Sequence, residues 1–125
     1  GKYTESQVEK LISGRGGLVS YLGVTDCREV EDMIEEGSKK AALVYEAMAY
    51  QVAKAIAVMS VALKGSVDAV ILTGGAAHSE LLTGMIEDYA GHIGKFVIMP
   101  GENELEALAS GADRILRGQE EGRIY

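Results

Sequence analysis

The chain has 125 residues, 47% of them hydrophobic, which is enough to close the core of one ordinary domain. Its formal charge of -7, from 19 acidic against 12 basic residues, offers no basic footprint for a phosphodiester backbone, so nucleic acid is not an expected partner. The single cysteine, Cys27, cannot form an internal disulfide and has no Cys or His neighbours at zinc-site spacing, so it reads as a small buried hydrophobe. No stretch reaches the roughly 18 uncharged apolar residues of a membrane span, because even Ala41 to Leu63 is interrupted by Glu46, Gln51 and Lys54. Lys2, Glu5, Glu9 and Lys10 occupy the positions where an apolar leader would sit. The expectation is a cytoplasmic protein with no membrane partner.

Tyr3 to Ile12 carries Val8, Leu11 and Ile12 at helical spacing behind Thr4, a good N-cap, and predicts a short helix. After the glycines at 14, 16 and 17, Leu18 to Leu22 reads as a short strand or extended segment. Asp26 and Glu29 have capping-box spacing, and Val30, Met33 and Ile34 then mark one face of a helix ending near Gly37. Ser38 to Lys64 lacks Gly and Pro and steps Val44, Met48, Val52, Ile56, Met59 and Leu63 along one side. That pattern predicts a single helix of about 40 Å. Its second half is apolar nearly all round, which predicts a central helix wrapped by other elements.

Val67 to Leu72 is a β-branched run of strand length that closes on Thr73, Gly74 and Gly75. A helix from Ser79 to Ile93 follows, with Leu81, Leu82, Met85, Ile86 and Tyr89 inward. Lys95 to Met99 reads as a second buried strand, stopped by Pro100 and Gly101; a helix from Asn103 to Leu116 and a polar tail from Gln119 to Tyr125 complete the chain. Strand, helix, strand, helix in that order predicts an α/β layer structure with two parallel neighbouring strands. So small a sheet is poor alone, so further strands are expected from sequence upstream of Gly1, where no initiator Met stands.

The turn from Thr73 through Gly74, Gly75, Ala76, Ala77 and His78 to Ser79 lies between a strand and a helix, where open α/β sheets bind ligands. Its glycines let backbone N–H groups approach a nucleotide, and they equally serve a tight turn with no ligand at all. Neither a Walker A loop nor a dinucleotide fingerprint is present.

The segments Tyr50 to Ala57, Asp68 to Gly75 and Pro100 to Ala109 resemble the carboxy-terminal region of the acetate and butyrate kinase family. Glu46 to Lys54 and the Pro-Gly-Glu-Asn-Glu turn are most similar to its butyrate kinase branch, and the resemblance extends over the whole chain. It implies a ribonuclease-H-like fold of the actin, sugar-kinase and heat-shock-chaperone superfamily, with residues 1–125 forming the carboxy-terminal, adenosine-binding domain or part of it and the amino-terminal lobe missing. The implied reaction is phosphoryl transfer between ATP and butyrate, in a homo-oligomer of the full-length protein. Acetate, propionate or a branched-chain fatty acid is the alternative substrate, and a non-catalytic α/β interaction module is the alternative role.

In that family the segment resembling Leu22 to Arg28 presents an arginine, here Arg28, to the transferring phosphoryl group, a role suited to a fixed guanidinium. Taken alone, Arg28 is a solvated first-turn helix arginine. The resemblance puts Thr73 to Ser79 in the adenosine motif and places Mg²⁺ near Glu104 or Glu102, which are otherwise acids suited to a helix N-terminus. The helix around Glu106 to Ala112, with Gly111, would connect the lobes, and the phosphate-binding motifs would lie outside this sequence. Acetate kinases carry arginine where Gln51 stands, beside the implied nucleotide pocket. His78 could touch nucleotide; His92 has no evident partner.

Overall fold

The computed structural model describes residues 2–101 and 104–121, and of Glu104 only the backbone. Glu102, Asn103 and the end of the tail, 122–125, lie outside the described residues.

Among the described residues the elements follow in the order α1 Glu5–Ile12, α2 Gly17–Leu22, α3 Cys27–Glu35, α4 Lys39–Ala62, β1 Ala69–Gly74, a 3₁₀ turn Gly75–His78, α5 Glu80–Ala90, β2 Lys95–Pro100 and α6 Glu104–Leu116. The strands are parallel neighbours, with Ala69 opposite Lys95 and Gly74 opposite Pro100. A parallel pair needs a long crossover, and α5 supplies it. Thr4 caps α1 as expected, accepting from the Gln7 N–H while the Gln7 side chain accepts from the Thr4 N–H.

Leu18 to Leu22 is helix α2 rather than strand. The two leucines share a face in either geometry, and both pack on the core, so the run alone cannot decide. What decides is hydrogen bonding. A lone extended segment would strand its backbone groups, whereas the helical turn satisfies them and is closed by Gly23 at φ 82°, whose N–H donates to the Val19 carbonyl.

The core is a contact of helices. Val30 of α3, Ala41, Tyr45 and Ala49 of α4, and Leu82 and Ile86 of α5 are buried together, with Leu72 and Phe96 of the sheet packed against them. The buried row of α4 is therefore Ala41, Tyr45, Ala49 and Ala53, four residues apart. The row expected from Val44 to Leu63 flanks it: Met48, Val52 and Ile56 pack against the core, but Met59 and Leu63 are exposed. Small side chains win the innermost positions because they let α3 and α5 approach closely.

Two expectations about burial are corrected. The second half of α4 is not wrapped, since Val58, Met59, Val61 and Leu63 are all exposed. Likewise β2 is half-buried at best, and only Val70 of β1 is buried, so the strands behave as the rim of a helical core. On α5 the inner face is Leu82, Thr83, Ile86 and Ala90, leaving Leu81 and Tyr89 outside, and the helix ends at Ala90. By length and composition α4 could cross a membrane, but here its alanine row is seated in the core.

Truncating a residue of the shared core should be costly. Leu82→Ala is expected to lower the unfolding free energy of the chain in urea by about 2–5 kcal/mol. Leu108→Ala, on the exposed face of α6, should stay within about 0.5 kcal/mol of the parent. Equal losses from the two would contradict this assignment of the core.

Candidate functional site

Two helix starts meet across one cleft. Asp26 is the N-cap of α3, its carboxylate accepting from the Arg28 N–H at 2.9 Å. The same carboxylate grips the Arg28 side chain, at 3.1 Å from Nε to Oδ1 and 2.6 Å from Nη2 to Oδ2. This bidentate pair holds Asp26 well below the usual carboxylate range, at about 2, through hydrogen bonds from the Arg28 side chain and backbone, which outweigh a smaller opposing effect of desolvation. The Arg28 side chain remains 87% exposed, so the pair is a surface feature of the cleft mouth. Arg28 is thus a solvated first-turn arginine at the mouth of the cleft.

Opposite stands the β1 turn. Thr73 and Gly74 end the strand, and Gly74, at φ 83°, adopts a conformation that favours glycine. Its N–H and carbonyl pair with those of Gly101 at 3.2 Å each, and the Thr73 hydroxyl donates to the Gly101 carbonyl. The ends of both strands are therefore locked together. Gly75 to His78 then form the 3₁₀ turn, and a Cβ added at Gly75 would meet nothing within 4 Å, leaving its backbone open to a ligand.

Ser79 ends the turn and caps α5, its Oγ accepting from the Leu82 N–H at 2.8 Å. It is buried, and it donates to Glu31 Oε1 at 2.5 Å. The hydroxyl of Tyr45 donates to the same oxygen at 2.8 Å and lies 3.0 Å from Ser79 Oγ. Burial drives the Tyr45 hydroxyl pKa far upward, so it remains a proton donor across the ordinary pH range.

The cleft of about 710 Å³ is lined by Thr25, Asp26, Cys27, Arg28 and Glu31 on one wall and Gly75, Ala76, His78 and Ser79 on the other. Of the residues singled out in the sequence, Arg28, Gly75, Ala76, His78 and Ser79 are brought together here. Thr73 and Gly74 stand behind the turn, and the Ala77 side chain is buried. Gly101, beside His78 Nε2, leads toward Glu102, which lies outside the described residues, and then to Glu104, whose side chain does too. Cys27 is half-buried and lines the cleft, rather than being a fully buried hydrophobe. Gln51 is not beside this cleft: it lines a separate apolar groove of about 500 Å³ with Leu18, Tyr21 and Met48.

Glu31 and Tyr45 carry no motif and were not expected at the site. A glutamate on a predicted helix reads as solvated. The available signal was Tyr45 itself, a hydroxyl inside an alanine row, which needs a buried partner.

The Asp26 pair makes a pH prediction. Asparagine caps a helix about as well as aspartate, so Asp26→Asn should leave the N-cap and remove the charge. A carboxyl whose folded pKa is lowered stabilises the fold above its unfolded value of 3.8 and loses that contribution as pH falls through about 2. The parent should therefore melt above the variant at neutral pH, and the gap should close between about pH 4 and pH 2. A gap that stays constant across that window would show that the carboxylate charge contributes nothing there.

Comparison with known proteins places this geometry. The Acetokinase family matches residues 2–115. The chain is 54% identical over all 125 residues to "Probable butyrate kinase 2" of Caldanaerobacter subterraneus subsp. tengcongensis. It is 51% identical over 124 residues to "Butyrate kinase 1" of Clostridium acetobutylicum, and 50% identical over 125 residues to a "Probable butyrate kinase" of Listeria monocytogenes. In each case essentially the whole chain aligns, and it spans 35% of the relative's length. The match over nearly the whole chain, on a parallel strand pair whose carboxyl ends open on a cleft, shows that this chain belongs to the acetokinase family.

Proposed function

We propose that this chain is the nucleoside-holding part of a carboxylate kinase that transfers a phosphoryl group between ATP and butyrate, giving butyryl phosphate and ADP. The observation that carries the reading is the convergence of the Asp26–Arg28 turn with Gly75 to Ser79 on one cleft at the carboxyl ends of parallel strands. The names of the relatives support butyrate as the carboxylate.

In this reading the open backbone at Gly75 and Ala76 takes the adenosine, and His78 borders it. The N-termini of α3 and α5 add partial positive charge on both sides. Arg28 faces the phosphoryl group. Asp26 occupies its Nε and Nη2, which leaves Nη1 for an anionic ligand and fixes the plane of the fork. Among the described residues no group of three His, Cys, Asp or Glu could hold a metal. Mg²⁺ on a nucleotide needs only one or two carboxylates, and Glu102 and Glu104, which follow Gly101 in the sequence, are the acids assigned that role. When bound, the ion would neutralise phosphate charge. The carboxylate substrate and the phosphate cradle belong to sequence that the relatives have and this chain does not span.

Two measurements test the reading. The 125-residue chain should bind ADP saturably, with amide shifts at Gly75, Ala76 and His78, and Gly75→Asp should abolish binding, because its side chain would enter open cleft space. The chain alone should show no turnover with butyrate and ATP. Rates on the order of 1–100 s⁻¹ would place the whole active site within these residues and overturn the assignment.

In the full-length protein, Arg28→Ala should lower kcat by about 10³ with little change in KM for ATP, and Arg28→Lys should recover little of it. A rise in KM with kcat unchanged would move Arg28 from the phosphoryl group to the nucleoside.

A further inference from the structure

We propose that Glu31 is a positioning residue of the cleft: by accepting the Ser79 and Tyr45 hydroxyls on one oxygen, it fixes the spacing between the walls that hold the nucleoside. This rests on the reading of the cleft as a nucleoside site.

The argument is one of connectivity. Glu31 extends from α3, whose first turn carries Asp26 and Arg28. Ser79 begins α5 and ends the 3₁₀ turn that carries Gly75, Ala76 and His78. The Ser79–Glu31 hydrogen bond is the direct polar contact between these two walls among the described residues. Tyr45, fully buried on α4, donates to the same Oε1 and so ties both walls to the central helix. Oε2 of Glu31 receives no hydrogen bond from the described residues. The carboxylate is thus held by one oxygen at the base of the cleft, and among the described residues no buried side-chain polar atom lacks a partner. A hydrogen bond to a charged acceptor is about twice as strong as a neutral one, so the joint resists the separation that loss of Glu31 would permit. A misplaced wall weakens a bound nucleoside without removing any group that touches it.

Tyr45 makes the test clean, because it does not line the cleft and its ring fills the core. ADP affinity of the 125-residue chain is measured by amide-shift titration for the parent, Tyr45→Phe, Glu31→Gln, Glu31→Ala and the Glu31→Ala, Tyr45→Phe double variant. Circular dichroism and amide spectra certify that each variant is folded. Glu31→Ala is expected to weaken ADP about tenfold, a loss of roughly 1.4 kcal/mol. Tyr45→Phe should weaken it about threefold, and the double variant no more than Glu31→Ala alone, because Tyr45 acts through Glu31. Glu31→Gln should stay within about twofold, since its amide oxygen can accept both hydroxyls. ADP shifts at the cleft together with parent-like affinity in Glu31→Ala would overturn the positioning role and leave the site reading intact. Loss of affinity in Glu31→Gln with none in Tyr45→Phe would also overturn it, making Glu31 a direct ligand contact through Oε2. Absence of ADP binding in the parent would overturn both the inference and the site.

Discussion

The arrangement depends on one shared acceptor. Glu31 Oε1 receives hydrogen bonds from Ser79 and Tyr45, whose own oxygens lie 3.0 Å apart. Three oxygen contacts and two hydroxyl protons cannot all be hydrogen bonds at once, so the protons lie toward the carboxylate, where the charge is. The Ser79 oxygen is then free to accept the Leu82 N–H that opens α5. Glu31 is half-buried, and the cost of withdrawing its Oε1 from water is offset by the two hydroxyls that donate to it. The same contacts that satisfy it decide where α3, α4 and α5 stand relative to one another.

Such a joint matters more here than it would in a larger sheet. Two strands are marginal by themselves, and β1 and β2 keep their place because Leu72 and Phe96 lean on a helical core. That core is built on an alanine row in α4, whose small side chains allow close approach and contribute little lateral specificity. Tyr45 interrupts the row and does both jobs. Its ring fills the space between α3 and α5, and its hydroxyl points the packing toward a single partner. Polar specificity therefore sits at the end of the core nearest the cleft, where register between helices is most consequential.

Much of this was legible in the residues. The two strands, the Thr4 and Asp26 caps and the glycine-rich turn before Ser79 each follow from local chemistry, and the structure bears them out, although β1 runs from Ala69 to Gly74 and not from Val67 to Leu72. The resemblance carried the family, which the comparisons show. Two kinds of feature were hidden. Leu18 to Leu22 fits helix and strand alike, and the choice falls to backbone pairing that no local pattern records. Glu31 and Tyr45 lie 14 residues apart and stand 48 and 34 residues from Ser79, a juxtaposition that only tertiary packing creates.

The burial expected of the second half of α4 failed for a different reason, and the failure is informative about how the molecule is divided. Val58, Met59, Val61 and Leu63 are large apolar side chains left exposed beyond the end of the core. Eighteen residues separate Tyr45 from Leu63, roughly 27 Å along the helix axis. The joint under the cleft and the uncovered surface thus occupy opposite ends of one rigid element. Covering that surface with further chain, as relatives of nearly three times this length could do, would change the burial of the distal end without disturbing the hydrogen bonds at the proximal one. The α4 helix thus has two unlike ends, an exposed apolar one from Val58 to Leu63 and one at which Tyr45 is tied to Glu31 and Ser79.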